Sequence, residues 1–254
     1  MHPFIYFQRV TDPFHIVVQS DVPTGAGLSS SAALEVACAI ALGGAALSKM
    51  DLIRACLRAE NNFVGLPCGI MDQYISVAAR AGCALKINCA TQQAEAVPLP
   101  ADVSIIAVNS MVKHELGKSE YPVRVADCKA RVPKRWRHVE SENQRVLDFV
   151  AASARGDLDR MGELFAASHR SLQHDYEVSC AEIDFLVDTA IALPYVYGAR
   201  ITGGGFGGCT VNLVRPGHEA EFESAMSSAY RQAYAKDPAF YRCVPSGGAE
   251  ALAF

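Results

Sequence analysis

Three short stretches of this chain hold residue types that could carry chemistry. The first is Gly25-Ala26-Gly27-Leu28-Ser29-Ser30-Ser31, preceded by Pro23 and followed by Ala32. Glycines let a backbone turn tightly and point successive N–H groups into one concavity. An Ala-rich helix behind them aims its positive end at the same place. Serine hydroxyls can donate to phosphate oxygens or coordinate a hard cation such as Mg²⁺. No Gly-Lys-Ser/Thr follows, so this is not a Walker A loop. A plain Gly turn with a Ser N-cap is the alternative.

The second stretch is the helix expected after Asp51. With Leu52 at zero and an advance of about 100° per residue, Cys56, Ile53 and Leu57 fall near 40°, 100° and 140°, and Glu60 near 80°. Arg54, Arg58 and Asp51 lie opposite. A carboxylate inside an apolar stripe is costly unless a cation or donor compensates it. Glu60 is therefore a candidate Mg²⁺ ligand; a snorkelling or helix-terminal glutamate is the alternative. The third stretch is Cys68-Gly69-Ile70-Met71-Asp72-Gln73. Asp72 is expected in a first helical turn, opposite Met71, Tyr74 and Ile75, where the helix dipole keeps it ionised. An ionised Asp suits phosphoryl transfer, in which the acceptor hydroxyl needs an oriented proton acceptor. Simple complementarity to the dipole is the alternative.

These stretches sit in a chain of 254 residues, 50% hydrophobic and 20% charged, enough for one large core or two modest domains. The apolar share excludes wholesale disorder. A net charge of −4 argues against a general nucleic-acid binder. No segment reaches the roughly 18 apolar residues that cross a bilayer; the Ala-rich run 36–47 is expected to be a buried helix. Met1-His2-Pro3 lacks the basic and apolar regions of a signal peptide. The nine cysteines form no Cys-x-x-Cys pair, so a reduced, cytoplasmic compartment is expected and thiolate metal binding is unsupported. His169 and His174, five apart, do not share a helix face as ligands would. Trp136, among basic residues, is expected at a surface or junction.

Strand and helix patterns alternate. A short strand is expected at His15-Ile16-Val17-Val18, then a helix over 31–47 and another begun by Ser48-Lys49-Met50-Asp51. Further helices are expected over 70–80, 139–153, 157–172 and 218–235, with Gly156 splitting the middle pair. Strands are expected over 83–88 and 103–108, and a Gly-interrupted strand pair over 195–214. Between them lies a loop with Lys113, His114, Lys118 and Arg124. There is no internal repeat. The mixture predicts an α+β class in two layers rather than a doubly wound sheet.

The first stretch resembles the second motif of the GHMP kinases, Pro-x-x-x-Gly-Leu-Ser-Ser-Ser-Ala. Eight positions fit Pro-x-Gly-x-Gly-Leu-Ser-Ser-Ser-Ala, a chance match on the order of 10⁻⁷. Within that family, four further strings resemble the galactokinase branch: Glu60-Asn61-Asn62-Phe63-Val64-Gly65 leading to Cys68-Gly69-Ile70-Met71-Asp72-Gln73; Ser119-Glu120-Tyr121-Pro122-Val123-Arg124; Asp175-Tyr176-Glu177-Val178-Ser179; and Thr202-Gly203-Gly204-Gly205-Phe206-Gly207-Gly208-Cys209-Thr210. The resemblance implies an N-terminal α/β domain, residues 1–100, and a ferredoxin-like C-terminal domain, residues 101–254. It implies ATP as co-substrate, wrapped by Gly25, Ala26, Gly27, Leu28, Ser29, Ser30 and Ser31. It implies Mg²⁺ on Ser31 and Glu60, and Asp72 as acceptor of the proton from the sugar C1 hydroxyl. Gly69, Asp72 and Tyr121 would contact the sugar, and Gly203, Gly204, Gly205, Gly207 and Gly208 would form a third motif backing the nucleotide loop. Without the resemblance, that glycine run is a hairpin or bulge.

Two departures accompany the match. The family's first motif, which carries a phosphoryl-stabilising Arg and a sugar-binding Gly-Glu-His-Thr-Asp stretch, has no counterpart in the 22 residues before Pro23. Cys128 is followed almost at once by Arg137-His138-Val139, where family members insert helices. The chain is therefore expected to be a shortened galactokinase-type kinase making galactose 1-phosphate, with small-molecule partners and no nucleic-acid or membrane partner. A kinase for another sugar such as N-acetylgalactosamine, and a catalytically impaired sugar- and ATP-binding regulator, are the alternatives. The intact Leu28-Ser29-Ser30-Ser31-Ala32 string favours retained phosphate chemistry, while the absent first motif favours lost catalysis.

Overall fold

The computed structural model describes residues 15–112 and 120–251. They divide into two units, one drawn from Met1–Thr24, Ser29–Ala96 and Pro245–Phe254, the other from Gly25–Leu28 and Val97–Val244.

In the first unit, helix α1 (Ser30–Ala41) buries Ala32, Val36 and Ala39. It stops short of the expected end because Gly43 adopts φ +99°, which turns the chain into a 3₁₀ turn at Gly44–Ala46. Ser48 then caps α2 (Lys49–Arg58), its hydroxyl accepting from the Asp51 N–H at 3.1 Å. A π turn, Ala59–Val64, continues from α2, and α3 (Met71–Ala78) follows. Val36, Ala39, Leu52, Ile53, Cys56, Ile70 and Val77 form the core of these helices. A hairpin of β1 (Cys83–Asn88) and β2 (Gln93–Pro98) completes the unit. Its turn is organised by Asn88, whose Oδ1 accepts from the N–H groups of Ala90 and Thr91 at 3.1 Å. The chain's last described residues return here: Gly248 and Ala249 donate to the Ala79 and Ser76 carbonyls.

The second unit runs strand–helices–strand–strand–helix–strand. Its antiparallel sheet has the order β4-β5-β3-β6, with β3 Ser104–Asn109, β4 Val196–Ile201, β5 Cys209–Val214 and β6 Ala239–Cys243. This is the ferredoxin-like βαββαβ arrangement. Helices α4 (Tyr121–Lys129), α5 (Pro133–Arg155), α6 (Leu158–Ser171) and α7 (Ala181–Ile191) connect β3 to β4, and α8 (Glu219–Tyr234) connects β5 to β6. Ile106, Val108 and Val214 pack with Leu186, Phe222 and Tyr230 from α7 and α8. Their neighbours Ile105 and Leu213 pack on the opposite face with Ala152, Met161 and Phe165 from α5 and α6. The sheet is thus covered on both faces, giving three layers where two were expected. That double burial is why β3 is almost continuously apolar. Gly162 of α6 meets Gly198 of β4 so closely that a Cβ on Gly162 would sit 1.8 Å from the Tyr197 carbonyl oxygen.

Other expectations also change. Residues 15–18 form no strand: Val17 is 93% exposed, and the segment gains no ladder partner among the described residues. Arg124 lies in α4 rather than a loop, because Pro122 and the residues after it begin a helix. Lys113, His114 and Lys118 fall outside the described residues. Strands β2 and β6 and helices α4 and α7 were not expected. Among the described residues, no helix is long and apolar enough to cross a membrane.

Candidate active site

The phosphate-loop candidate takes its shape from residues that reverse the usual backbone hand. Gly25 and Gly27 have φ +70° and +73°, and Ser29, at the N-cap of α1, has φ +57°. A left-handed serine is strained and persists only where its surroundings fix it. Ser29 makes no capping bond to α1, and the helix has no acidic residue in its first turn. Its side chain neighbours the Asp72 carboxylate and favours that group's ionised form. The first amides of α1 therefore lack a side-chain cap, the state in which a helix N-terminus takes an anion.

Beneath this loop runs the connection between β4 and β5. Gly203, Gly205, Gly207 and Gly208 all have positive φ, as does Phe206 between them. A Cβ on Gly203 would stand 2.7 Å from the Gly27 carbonyl oxygen, and one on Gly208 2.7 Å from that of Ala26. Two backbones lie against each other with no room for a side chain, which is the use of these glycines. Gly204 belongs to the same connection.

On the first unit, three carboxylates gather. Glu60 is 3% exposed, held in the π turn, and its Oε2 has no hydrogen-bond partner. Glu35, on α1, hydrogen-bonds to Glu60 and accepts from Gln73 Nε2 at 3.2 Å. Burial, with that bond to Glu60, pushes the Glu35 carboxyl up to about 8. Asp72 is half-buried at the start of α3. Burial raises its pKa against the lowering effect of the Ser29 bond, and the Glu60 charge raises it further. This corrects the expectation that the helix dipole alone holds Asp72 ionised. It also corrects the face assignment: Met71 is 57% exposed, and the buried side of α3 carries Gln73 and Val77. Asn61 ties the two ends of the intervening loop together, accepting from the Cys68 N–H at 2.9 Å. The Cys68 thiol is pushed up to about 11 by burial and by the neighbouring Glu60, Asp72 and Glu35 charges.

The structure thus brings Asp72, Ser29, Glu60 and Glu35 into one cluster. Ser31 is exposed in the first turn of α1, four residues before Glu35 and so on the same helical face. A Cβ on Gly69 would meet nothing within 4 Å, so the chain there borders open space. Tyr121 is described only as the first residue of α4. Glu35, Gln73 and Asn61 were missed from sequence. Glu35 could have been found by the argument used for Glu60: a carboxylate within an apolar helix, spaced i, i+4 from a candidate serine. His169 is a core histidine, its Nε2 3.2 Å from Asp184 Oδ1.

The chain matches the GHMP kinases N terminal domain over residues 4–80 and the GHMP kinases C terminal domain over residues 149–232. It is 40% identical to the galactokinase of Canis lupus familiaris over 273 residues, covering 94% of this chain and 68% of that protein. The chain belongs to the galactokinase family of GHMP kinases. The Homo sapiens galactokinase matches equally, at 40% identity and 68% of its length. The chain thus spans about two thirds of the length of these relatives. A crystal structure of Lactococcus lactis galactokinase complexed with galactose aligns with a TM-score of 0.86 and 30% identity, over 92% of this chain and 69% of that one. A Leishmania major mevalonate kinase structure, at 22% identity and TM-score 0.62, shares the fold. The galactokinase family is one of ATP-dependent sugar kinases, which makes ATP the phosphoryl donor.

Proposed function

We propose that this chain transfers the γ-phosphoryl of ATP to the C1 hydroxyl of galactose, giving galactose 1-phosphate. The observation that carries this reading is Glu60, a buried carboxylate with one oxygen unpartnered, gathered with Asp72 and with Glu35 of the helix that follows the phosphate loop. The relatives at 40% identity and the galactose complex of the Lactococcus enzyme supply the substrate class. Residues 1–100 act as the GHMP N-terminal domain and residues 101–254 as the C-terminal one. Gly25, Ala26, Gly27, Leu28, Ser29, Ser30 and Ser31 hold the phosphates through backbone N–H groups and hydroxyls. The glycines at 203–208 fix that loop from below. Gly69 and Tyr121 contact the sugar.

The donor set also fits a magnesium ion. Glu60 Oε2 is a buried carboxylate oxygen without a partner, and hard oxygen donors on few carboxylates suit Mg²⁺. Glu60 and Ser31 would hold it, where its charge offsets that of the phosphates. Asp72 orients the sugar hydroxyl and accepts its proton as the new O–P bond forms. Its raised pKa makes it a better acceptor than a fully solvated aspartate. The test is ADP release by the 254-residue chain with galactose, N-acetylgalactosamine and glucose, alongside calorimetry of Mg·ATP. Galactose-dependent release that vanishes in Asp72→Asn, with nucleotide binding retained, is expected. Release that survives in Asp72→Asn, or that prefers another sugar, overturns the assignment.

A further inference from the structure

Arg124 lies on the fourth position of α4, the helix that begins at Tyr121. Its side chain is 11% exposed and reaches off its own helix. Nε donates to the Tyr176 carbonyl at 2.9 Å and Nη2 to the Glu177 carbonyl at 3.2 Å. Nη1 also donates to Glu120 Oε2 at 3.4 Å, an exposed partner one turn earlier, and Asp127 lies 3.8 Å away. The guanidinium carbon is 6.0 Å from the centroid of the Phe206 ring, at the limit of a cation–π contact. A planar fork that serves two successive carbonyls and faces a ring is a use for which lysine is no substitute.

The two carbonyls belong to a turn that is itself fixed. Glu177 has φ +56°, and Arg135 and Lys134 both pair with its carboxylate. Arg135 also donates to the Asp175 carbonyl at 2.7 Å. The next residue, Val178, accepts from the Phe206 N–H at 2.6 Å, and a Cβ on Gly205 would lie 2.5 Å from the Val178 oxygen. From Phe206 the chain reaches Gly203 and Gly208, which lie against Gly27 and Ala26. An unbroken run of hydrogen bonds and backbone contacts therefore joins α4 to the phosphate loop, all of it within the second unit. Packed backbones with no free volume transmit displacement instead of absorbing it.

We propose that Arg124 is a positioning residue that couples sugar binding at the start of α4 to nucleotide binding at the 25–28 loop. The inference rests on the galactokinase reading for the role of Tyr121, and deepens it. Ordering the loop around phosphates fixes the 203–208 connection, then the 176–178 turn, and through Arg124 the N-terminal turn of α4. By linkage, the sugar must tighten nucleotide binding by the same factor that the nucleotide tightens sugar binding.

Two measurements on the full chain test it. The first is amide hydrogen exchange over residues 121–129, free and saturated with Mg²⁺ and a non-hydrolysable ATP analogue. The wild type should slow severalfold on nucleotide binding. Arg124→Gln should bind the analogue within about threefold of wild type yet leave α4 exchange unresponsive, and Arg124→Lys should keep only part of the response. The second is galactose affinity by calorimetry with and without the analogue, where coupling of roughly 5–150-fold is expected and should fall toward one in Arg124→Gln. Unchanged α4 exchange with nucleotide bound overturns the proposal. So does an Arg124→Gln that loses galactose affinity equally in both conditions, which would make Arg124 merely a strut of α4. Failure of the underlying reading is separate: Tyr121→Phe with unaltered galactose affinity removes α4 from the sugar site, while the exchange response of α4 to nucleotide would remain.

Discussion

Replacing Gly203 by alanine isolates what the glycine-rich connection does for the phosphate loop. Two costs arise there. The residue has φ +75°, which charges an L-residue about 1–2 kcal/mol in strain. The added Cβ would also lie 2.7 Å from the Gly27 carbonyl oxygen and 3.0 Å from its Cα. Ordinary contact begins near 3.4 Å, so Gly27 must retreat by about 0.7 Å. Gly156 supplies the control. It closes α5 with φ +66°, and a Cβ there meets nothing within 4 Å. Gly156→Ala should therefore lower stability by about 1–2 kcal/mol through strain alone, without altering nucleotide affinity. Gly203→Ala should lose more, and should also weaken Mg·ATP binding, because the Gly27 backbone of the phosphate loop is displaced. Urea midpoints and calorimetry of both variants decide the matter. Equal stability losses with equal, unchanged ATP affinity would refute the claim that the two backbones support one another.

Three further outcomes are expected. Asp72→Asn should keep the fold and bind Mg·ATP while turnover falls below detection in the coupled ADP-release assay. Glu60→Gln should weaken Mg·ATP binding much more than binding of metal-free ATP; calorimetry showing equal losses would leave Glu60 purely structural. Glu35 predicts a pH effect. Its folded value of about 8 lies above its ordinary 4.5, so its contribution to stability is fully present below about 4.5 and declines as pH rises through about 8. Glu35→Gln should flatten the fall in thermal stability between about pH 4.5 and 8, and a profile identical to wild type would remove Glu35 from the account.

What could be anticipated of the fold followed periodicity and punctuation. Ser48 and Asp51 marked the start of α2, Gly156 split α5 from α6, and the glycines at 202–208 marked the β4–β5 connection. What escaped was set by pairing or by weak local pattern. Strand β2, Gln-Ala-Glu-Ala-Val-Pro, has little strand propensity of its own and exists because the Asn88 turn folds it onto β1. Helix α4 has no buried stripe, and is held by Arg124 and by the packing of its neighbour α5. Helix α7 was missed although its pattern could be read: Ile183, Leu186, Val187 and Ala190 follow helical spacing and are all buried. The segment at 15–18 had the composition of a strand but no partner to pair with, and β-branched residues alone do not make a sheet.

Outside the glycine motifs, the candidate site could be read where a residue type conflicted with its setting. Glu60 stood out as a carboxylate in an apolar stripe, and the structure buries it with one oxygen unpartnered. Asp72 agreed with its setting as a first-turn acid, so sequence showed nothing of the burial, the Ser29 neighbour and the Glu60 charge that also act on it. These are three-dimensional neighbours that helix position cannot reveal. The same holds for Glu35, whose bond to Glu60 joins residues from α1 and the π turn. Three carboxylates this close repel one another, and ionising all of them together is unfavourable. The cluster meets that repulsion in two visible ways. Burial and the neighbouring Glu60 push the Glu35 carboxyl up to about 8, toward its protonated form, and Gln73 donates to a Glu35 oxygen while Ser29 favours the Asp72 carboxylate. Glu60, the most buried of the three and with its Oε2 unpartnered, is the place where added positive charge gains most. A cation there would lower the Asp72 and Glu35 pKa values together, so the pH dependence of sugar phosphorylation should shift to lower pH as Mg²⁺ is raised. A profile that stays fixed across Mg²⁺ concentrations would separate Glu60 from the metal and return the cluster to a structural role.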